Sequence, residues 1–348
     1  MKFLKKKTGL AVGVIGAGRI GKLHIESLAV RIPEATVAAV ADVNLDAAKE
    51  MGEKYNIKSV YADYQKILKD RKIDAVVICS PTDTHAQYVQ EAAAKGKHVF
   101  CEKPVDLTLS NINAAISAVE KAGVKLMVGF NRRFDPNFLK VREMVKSGAI
   151  GEPHILRITS RDPAPPPPSY VKVSGGIFLD MAIHDFDMAR YLVGSEVVEV
   201  YAKGAVLVDP AIGAAGDVDT AVTTLTFANG AIGTIDNSRK AAYGYDQRAE
   251  VFGSKGMVNI DNNTPDTHAH FDQDGSHAAK LLHFFVDRYT ESYYREMKLF
   301  VEAVLNDGDV PVGGRDGLLS VAIGLAAKKS MAENRPVKVS EILEGRTQ

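Results

Sequence analysis

The sequence predicts an α/β chain of two domains: a doubly wound parallel sheet over residues 1–131, then an α+β domain with a largely antiparallel, open sheet over residues 132–348. Three observations lead there. Short apolar runs alternate with stretches of helical spacing through the first third of the chain, the pattern of repeated βα units. The first apolar run breaks into a glycine-rich turn. From about residue 150 onward, strand-like runs joined by tight turns take over.

The glycine-rich turn says most. Leu10–Ile15 reads as a buried strand, and 20–30 carries apolar residues at helical spacing. Between them Gly16-Ala17-Gly18-Arg19-Ile20-Gly21 has the form Gly-x-Gly-x-x-Gly, and a second strand, 36–41, ends at Asp42. In a dinucleotide-binding Rossmann βαβ unit Gly16 allows the tight turn. Gly18 lets the backbone approach a pyrophosphate at the helix N-terminus, and Gly21 lets helix and strand pack closely. A carboxylate ending the second strand accepts hydrogen bonds from the ribose hydroxyls of NAD and repels the 2′-phosphate of NADP. Asp42 is followed by Val43 and Asn44 rather than by arginine, so NAD is the expected cofactor. Arg19, inside the loop, can lean on the phosphates.

The rest of the first domain repeats the unit. A helix over Leu45–Tyr55, a short strand around Val60 and a helix over 64–68 follow Asp42. A strand over 75–79 ends in Ser80-Pro81-Thr82-Asp83-Thr84-His85, with a helix expected over 86–95. The next strand, 98–101, ends in Glu102-Lys103-Pro104; a helix over 110–121 and a strand over 125–130 lead to Asn131-Arg132-Arg133-Phe134-Asp135. Ligands of such sheets bind outside the carboxyl ends of the strands. That rule selects the glycine loop with Arg19 and Ile20, then Asp42, Val43, Ser80, Thr82, His85, Glu102 and Lys103 for the cofactor side.

In the second domain strands are expected over 154–159, Val197–Ala205, 218–227, 231–238, 248–252 and 257–260. Asn229-Gly230 is a strong hairpin signal, and Gly253-Ser254-Lys255-Gly256 reads as another turn. Four prolines, 165–168, fit neither helix nor inner strand and predict a stiff loop. Helices over 289–305 and 314–334 close the chain.

Composition narrows the partners. Of 348 residues, 46% are hydrophobic and 25% charged, ordinary for a water-soluble globular protein. Lys+Arg and Asp+Glu are both 43, so bulk charge points to no nucleic acid or membrane surface. Cys79 and Cys101 form neither a disulfide framework nor a metal-ligand spacing and read as core thiols of a cytoplasmic protein. The basic start, 1–7, runs into the first strand without a signal-peptide pattern, and no apolar run spans a bilayer.

Oxidising an alcohol with NAD needs a base for the hydroxyl proton and a positive group for the developing alkoxide. Lys103, at a strand's carboxyl end, supplies the second. Asp180 and His184 stand four residues apart, which on a helix puts them on one face. A carboxylate beside an imidazole holds its tautomer and stabilises the imidazolium, and histidine titrates near neutral pH. The neighbours Met181, Ile183, Phe186 and Met188 imply a partly buried setting, with Asp185 and Asp187 as surface or capping acids.

Together the glycine fingerprint, Glu102-Lys103-Pro104 and Asp180-x-x-x-His184 resemble the glucose–fructose oxidoreductase and inositol dehydrogenase family over nearly the whole chain. Asp42-Val43-Asn44, Pro81 to His85, Gly129 to Asp135 and Tyr243-Gly244-Tyr245-Asp246-Gln247-Arg248 look most like its NAD-dependent inositol 2-dehydrogenases. The resemblance implies that Lys103, Asp180 and His184 are catalytic. It also implies a homotetramer whose subunits meet through the exposed sheet face of the second domain. The reaction implied is oxidation of a cyclic polyol, myo-inositol to 2-keto-myo-inositol (scyllo-inosose). Scyllo-inositol or an aldose on the same scaffold, or a dinucleotide-binding sensor without chemistry, are the alternatives.

An uncharged polyol has to be chosen by directional hydrogen bonds. Asn131 and Arg132 are the first candidates for its hydroxyls, Asp162 and Tyr245 the next, while Arg133 is expected to pair with Asp135 or a neighbouring chain. His268-Ala269-His270 with Asp272, Asp274 and His277 lacks a closed zinc ligand set and reads as a solvated polar loop. His24 and Glu26 read as surface or packing residues.

Overall fold

The computed structural model describes residues 9–345; the basic run 1–7 lies outside them. The chain divides into two compact units, Met1–Asn131 with Glu291–Leu319, and Arg132–Thr290 with Ser320–Gln348.

The first unit is built on six parallel strands: β1 (Leu10–Ile15), β2 (Ala35–Ala41), β3 (Ser59–Tyr61), β4 (Ala75–Ile78), β5 (His98–Glu102) and β6 (Leu126–Gly129). Their spatial order is β3-β2-β1-β4-β5-β6, which reverses direction between β1 and β4. Such strands are covered on both faces and so read as continuous apolar runs; all four residues of β4 are buried. The connecting helices are α1 (Arg19–Glu26), α2 (Leu45–Tyr55), α3 (Gln65–Lys69), α4 (Thr82–Ala94) and α5 (Leu109–Ala122). Two differ from the sequence expectation. The first helix gives way at Ser27–Arg31 to a π turn. The fourth starts four residues early, because Pro81 in extended geometry precedes it and polar Thr82 and Asp83 suit a first turn whose N–H groups need no intrahelical partner.

The second unit follows a 3₁₀ turn, Asn131–Phe134, with α6 (Pro136–Lys146) and β7 (Pro153–Arg161). The last of the four prolines opens α7 (Pro168–Ser174); proline at a first helical position lacks only an N–H that has no partner there anyway. A π turn, Ile177–Met181, runs into α8 (Ile183–Val193), and β8 (Val197–Ala205), α9 (Pro210–Ala214), β9 (Thr220–Phe227), β10 (Ile232–Ser238), β11 (Asp246–Gly253) and β12 (Gly256–Ile260) come next. β13 (Ala269–Asp272) and β14 (Gly275–Ala278) form a separate exposed hairpin, in place of the loop expected there. α10 (Phe285–Leu305), α11 (Gly314–Glu333), β15 (Val337–Lys338) and α12 (Val339–Glu344) end the described chain.

The second sheet runs β12-β11-β7-β10-β9-β8-β15. It is antiparallel throughout except for the central pair β7 and β10, which are parallel. Its strands alternate between buried and exposed residues, as a sheet covered on one face does, and α8 packs against β7. Val198, Val222, Ile232, Phe252 and Met257 are left exposed. The Asn229-Gly230 turn is as expected: Gly230 has φ +88°, and the Phe227 N–H donates to the Ala231 carbonyl at 2.9 Å. No helix among the described residues is long and apolar enough to cross a membrane.

Candidate active site

The turn after β1 needs its glycines for reasons visible atom by atom. Gly16 has φ +100°, and a Cβ there would lie 2.5 Å from the Cys79 carbonyl oxygen. At Gly21 a Cβ would lie 2.0 Å from the Gly16 carbonyl oxygen, so α1 presses directly on the turn. Gly18 differs: a Cβ would meet nothing within 4 Å, which leaves its backbone open to a ligand. Arg19 is exposed beside it and Ile20 half-buried. Asp42, at the end of β2, accepts from the Ala17 N–H (Oδ2, 2.6 Å) and from the Asn44 N–H (Oδ1, 2.8 Å), while Val43 is 91% exposed. The loop and the acid are thus fastened to each other, and each carboxylate oxygen keeps a lone pair for a ribose hydroxyl. These residues fit a dinucleotide.

Around β4 and β5 the expected cofactor residues divide. Ser80 and Thr84 share a hydroxyl contact of 2.6 Å, and Thr82 lies in the first turn of α4. His85 is buried, with Nδ1 2.8 Å from the Pro104 carbonyl oxygen and Nε2 2.8 Å from that of Ser80. It braces the two strand ends, with both ring nitrogens engaged inside the protein. Glu102 turns inward too, to His24 Nε2 at 2.7 Å, which makes His24 a buried hydrogen-bonding residue with a partner on β5. Lys103, half-buried, follows at the carboxyl end of β5.

In the second unit Asp180 lies within the π turn and His184 at the start of α8, so they do not share one regular helix as their spacing suggested. The Ala182 N–H donates to the Ile177 carbonyl at 2.8 Å, the bond that makes the extra-wide turn. Gly176 enters it with φ +80°, and Asp217 accepts from the Ile177 N–H at 2.9 Å. Asp180 Oδ1 accepts from the Tyr170 hydroxyl at 3.0 Å and Oδ2 from Arg239 Nη1 at 3.0 Å. Neither Tyr170 nor Arg239 was anticipated. Arg239 follows the end of β10, beside a second basic residue, Lys240, with no local signal that it is 2% exposed. Asp162 lies 4.0 Å from the same Nη1, and burial pushes its carboxyl up to about 6.

The acids of α8 overturn their expected surface role. Asp185 and Asp187 are both 0% exposed, because α8 is buried almost all round. Asp185 takes Arg132 Nη1 at 2.5 Å and Asn237 Nδ2 at 2.8 Å; burial pushes its carboxyl up, and Arg132 and Asn237 pull it back. Asp187 takes Arg133 through two bonds, 2.8 and 2.6 Å. Arg133 therefore pairs with Asp187 rather than Asp135. Asp135 caps α6 and holds Arg288 at 2.5 Å. Arg132 is a buried brace, and Asn131 is buried with its Nδ2 lacking an acceptor. Tyr245 is 6% exposed, edge-on to Phe284 and Tyr289, and burial pushes its phenol well up.

The histidine cluster of the small hairpin stays at the surface: His270 and His277 reach Asp272 at 3.4 and 3.5 Å. Cys79 and Cys101 are free thiols, and burial raises both.

Residues 10–130 match the model for an oxidoreductase family with an NAD-binding Rossmann fold, and residues 138–259 that for a GFO/IDH/MocA C-terminal domain. The chain is 52% identical over 334 residues to a myo-inositol 2-dehydrogenase of Thermotoga maritima, covering 96% of this chain and 100% of that one. It is 46% identical over 328 residues to an inositol 2-dehydrogenase of Rhizobium meliloti, covering 94% and 98%. Among solved structures, a Lactobacillus casei scyllo-inositol dehydrogenase with bound NAD(H) and scyllo-inositol matches with a TM-score of 0.90 at 30% identity, over 95% of this chain and 99% of that one. The chain belongs to the GFO/IDH/MocA family of oxidoreductases.

Proposed function

We propose that the protein is an NAD-dependent inositol 2-dehydrogenase that oxidises myo-inositol to 2-keto-myo-inositol. The observation that carries this is 52% identity to a myo-inositol 2-dehydrogenase along the full length of both chains. Gly16, Gly18, Arg19 and Asp42 hold NAD, which when bound accepts hydride from the carbinol carbon. His184 takes the hydroxyl proton. Asp180, fixed by Tyr170 and Arg239, keeps the imidazole in the tautomer that can do so and stabilises its charged form. The Lys103 ammonium stabilises the alkoxide as it develops.

Hydroxyl recognition falls to Asn131 Nδ2, which has no acceptor of its own, to the Asp162 carboxyl and to Tyr245. Arg132, buried and bound to Asp185, is engaged within the protein. A cytoplasmic homotetramer, with the open face of the second sheet buried between subunits, fits the free thiols and the exposed Val222, Ile232 and Phe252.

The test is NADH formation with NAD or NADP across myo-, scyllo- and D-chiro-inositol, glucose and galactose. Preference for myo-inositol with NAD supports the reading. Preference for scyllo-inositol moves the substrate within the class, and NAD binding without turnover on any polyol replaces the enzyme with a sensor. Light scattering after size exclusion reads the assembly.

A further inference from the structure

A buried triad in the first unit has no part in the reaction described so far. His24 on α1, Glu102 on β5 and Glu296 on α10 bring one nitrogen or oxygen each within 4.8 Å of one another. His24 and Glu296 are 0% exposed and Glu102 is 9% exposed. His24 Nε2 lies 2.7 Å from Glu102 Oε1, within hydrogen-bond distance. Neither carboxyl oxygen of Glu296 has a hydrogen-bond partner, and His24 Nδ1 has none. Room for the Glu102 carboxyl comes from Gly129, its cross-strand neighbour on β6, where a Cβ would stand 3.0 Å from Glu102 Oε2.

The groups facing the triad are apolar or weakly acidic. Phe100 on β5 and Tyr293 on α10 lie edge-on to the His24 ring, and the Cys79 and Cys101 thiols feel the Glu102 charge. An ionised Glu296 would be a second anion beside Glu102, out of water and without a donor, an arrangement that buried pairs of carboxyls avoid by keeping one proton between them. A protonated Glu296 instead offers an O–H to the Glu102 carboxylate. Glu102 would then be held from two sides, by the imidazole N–H and by the carboxylic O–H.

We propose that Glu296 is a neutral carboxylic acid at neutral pH that shares its proton with anionic Glu102, and that it acts as a positioning residue for Lys103, the residue following Glu102. The assignment of Lys103 rests on the function proposed above; the protonation of Glu296 does not. Burial and the Glu102 charge both raise the Glu296 carboxyl, in agreement.

Infrared spectroscopy of the purified protein at neutral pH, with Glu296→Gln as the reference, tests the proton directly. The carbonyl stretch of a protonated carboxyl should be present in the wild type and lost in the variant, with or without NAD. Kinetics test the positioning. Glu296→Gln, which is neutral and still donates, should keep kcat within about twofold and keep the pH profile. Glu296→Leu should lower kcat about tenfold or more with NAD affinity unchanged. Identical spectra, a Gln variant as impaired as the Leu variant, or a stoichiometric divalent metal in the wild type that the Gln variant lacks would each overturn the proposal, the last by making the triad a metal site. Full turnover in Lys103→Met would overturn the positioning role together with that of Lys103, whereas the infrared result decides the proton alone.

Discussion

Arg239 Nη1 stands 3.0 Å from Asp180 Oδ2, while the Tyr170 hydroxyl holds Oδ1 of the same carboxylate at 3.0 Å. The first bond joins the end of β10 to the π turn before α8, and its guanidinium is buried. The carboxylate proposed to orient His184 is thereby itself held from both sides. Hydrogen bonds to charged groups contribute about 1.5–3 kcal/mol, so Arg239→Met should lower kcat about 10–100-fold. NAD affinity should not move, and Arg239→Lys should recover part of the loss. Steady-state kinetics with calorimetric NAD titration checks this; an Arg239→Met enzyme at full turnover would show that Asp180 needs no such support.

His184→Ala should cost roughly 10²–10⁴ in kcat and leave NAD binding nearly intact, the usual worth of a general base. The comparison to make is single-turnover NADH formation against NAD affinity. Unchanged turnover would remove His184 as the base.

Asp42 accepts from the Ala17 and Asn44 N–H groups as well as being the residue proposed to hold the ribose. Asp42→Ser should therefore do two things: admit NADP by removing the repelling charge, and loosen the loop so that affinity for NAD falls. Kd values for both dinucleotides read the two effects separately. An unchanged preference for NAD would mean that Asp42 is a loop fastener alone.

Asp162 makes stability depend on pH in a defined window. Burial raises its carboxyl from the ordinary 3.8 to about 6, so the folded state holds this proton more tightly than the unfolded chain does. The contribution is fully present below the unfolded value and is lost as pH rises through about 6. Two pKa units correspond to at most about 3 kcal/mol. Asp162→Asn should remove that slope, and urea unfolding at pH 4 and pH 7 should show the variant gaining relative to wild type at the higher pH. Parallel slopes would place the titration elsewhere.

The parallel-sheet half was legible because its signals are local. A strand buried on both faces has to be an apolar run, and the turn after β1 has to use glycine where a Cβ meets backbone. The acids of α8 were illegible for the opposite reason. Asp185 and Asp187 are paired inside with Arg132 and Arg133, which arrive from more than 50 positions earlier, and a window of sequence holds no record of that pairing. His24 and Glu102 are likewise 78 positions apart. The two-part division drawn from the strand and helix pattern puts 291–319 in the second domain, whereas Glu291–Leu319 joins the first unit, and its apolar helical spacing looks the same whichever unit it joins. Of the candidate site, residue types at strand ends were readable, while the direction each side chain takes was not. His85 and Glu102 sit where expected and face inward.

The π turn over Ile177–Met181 stores a direction as a residue count. An α-helix advances by about 100° per residue, and the wide turn holds one residue more than a regular turn needs. That surplus fixes the azimuth of Asp180 relative to the axis on which His184 is mounted. Losing one residue of the turn other than Asp180 would let it close as ordinary helix and swing the carboxylate about a quarter turn from Tyr170 and Arg239, with Asp180 and His184 both still present. For this stretch of chain, length carries as much information as side-chain chemistry.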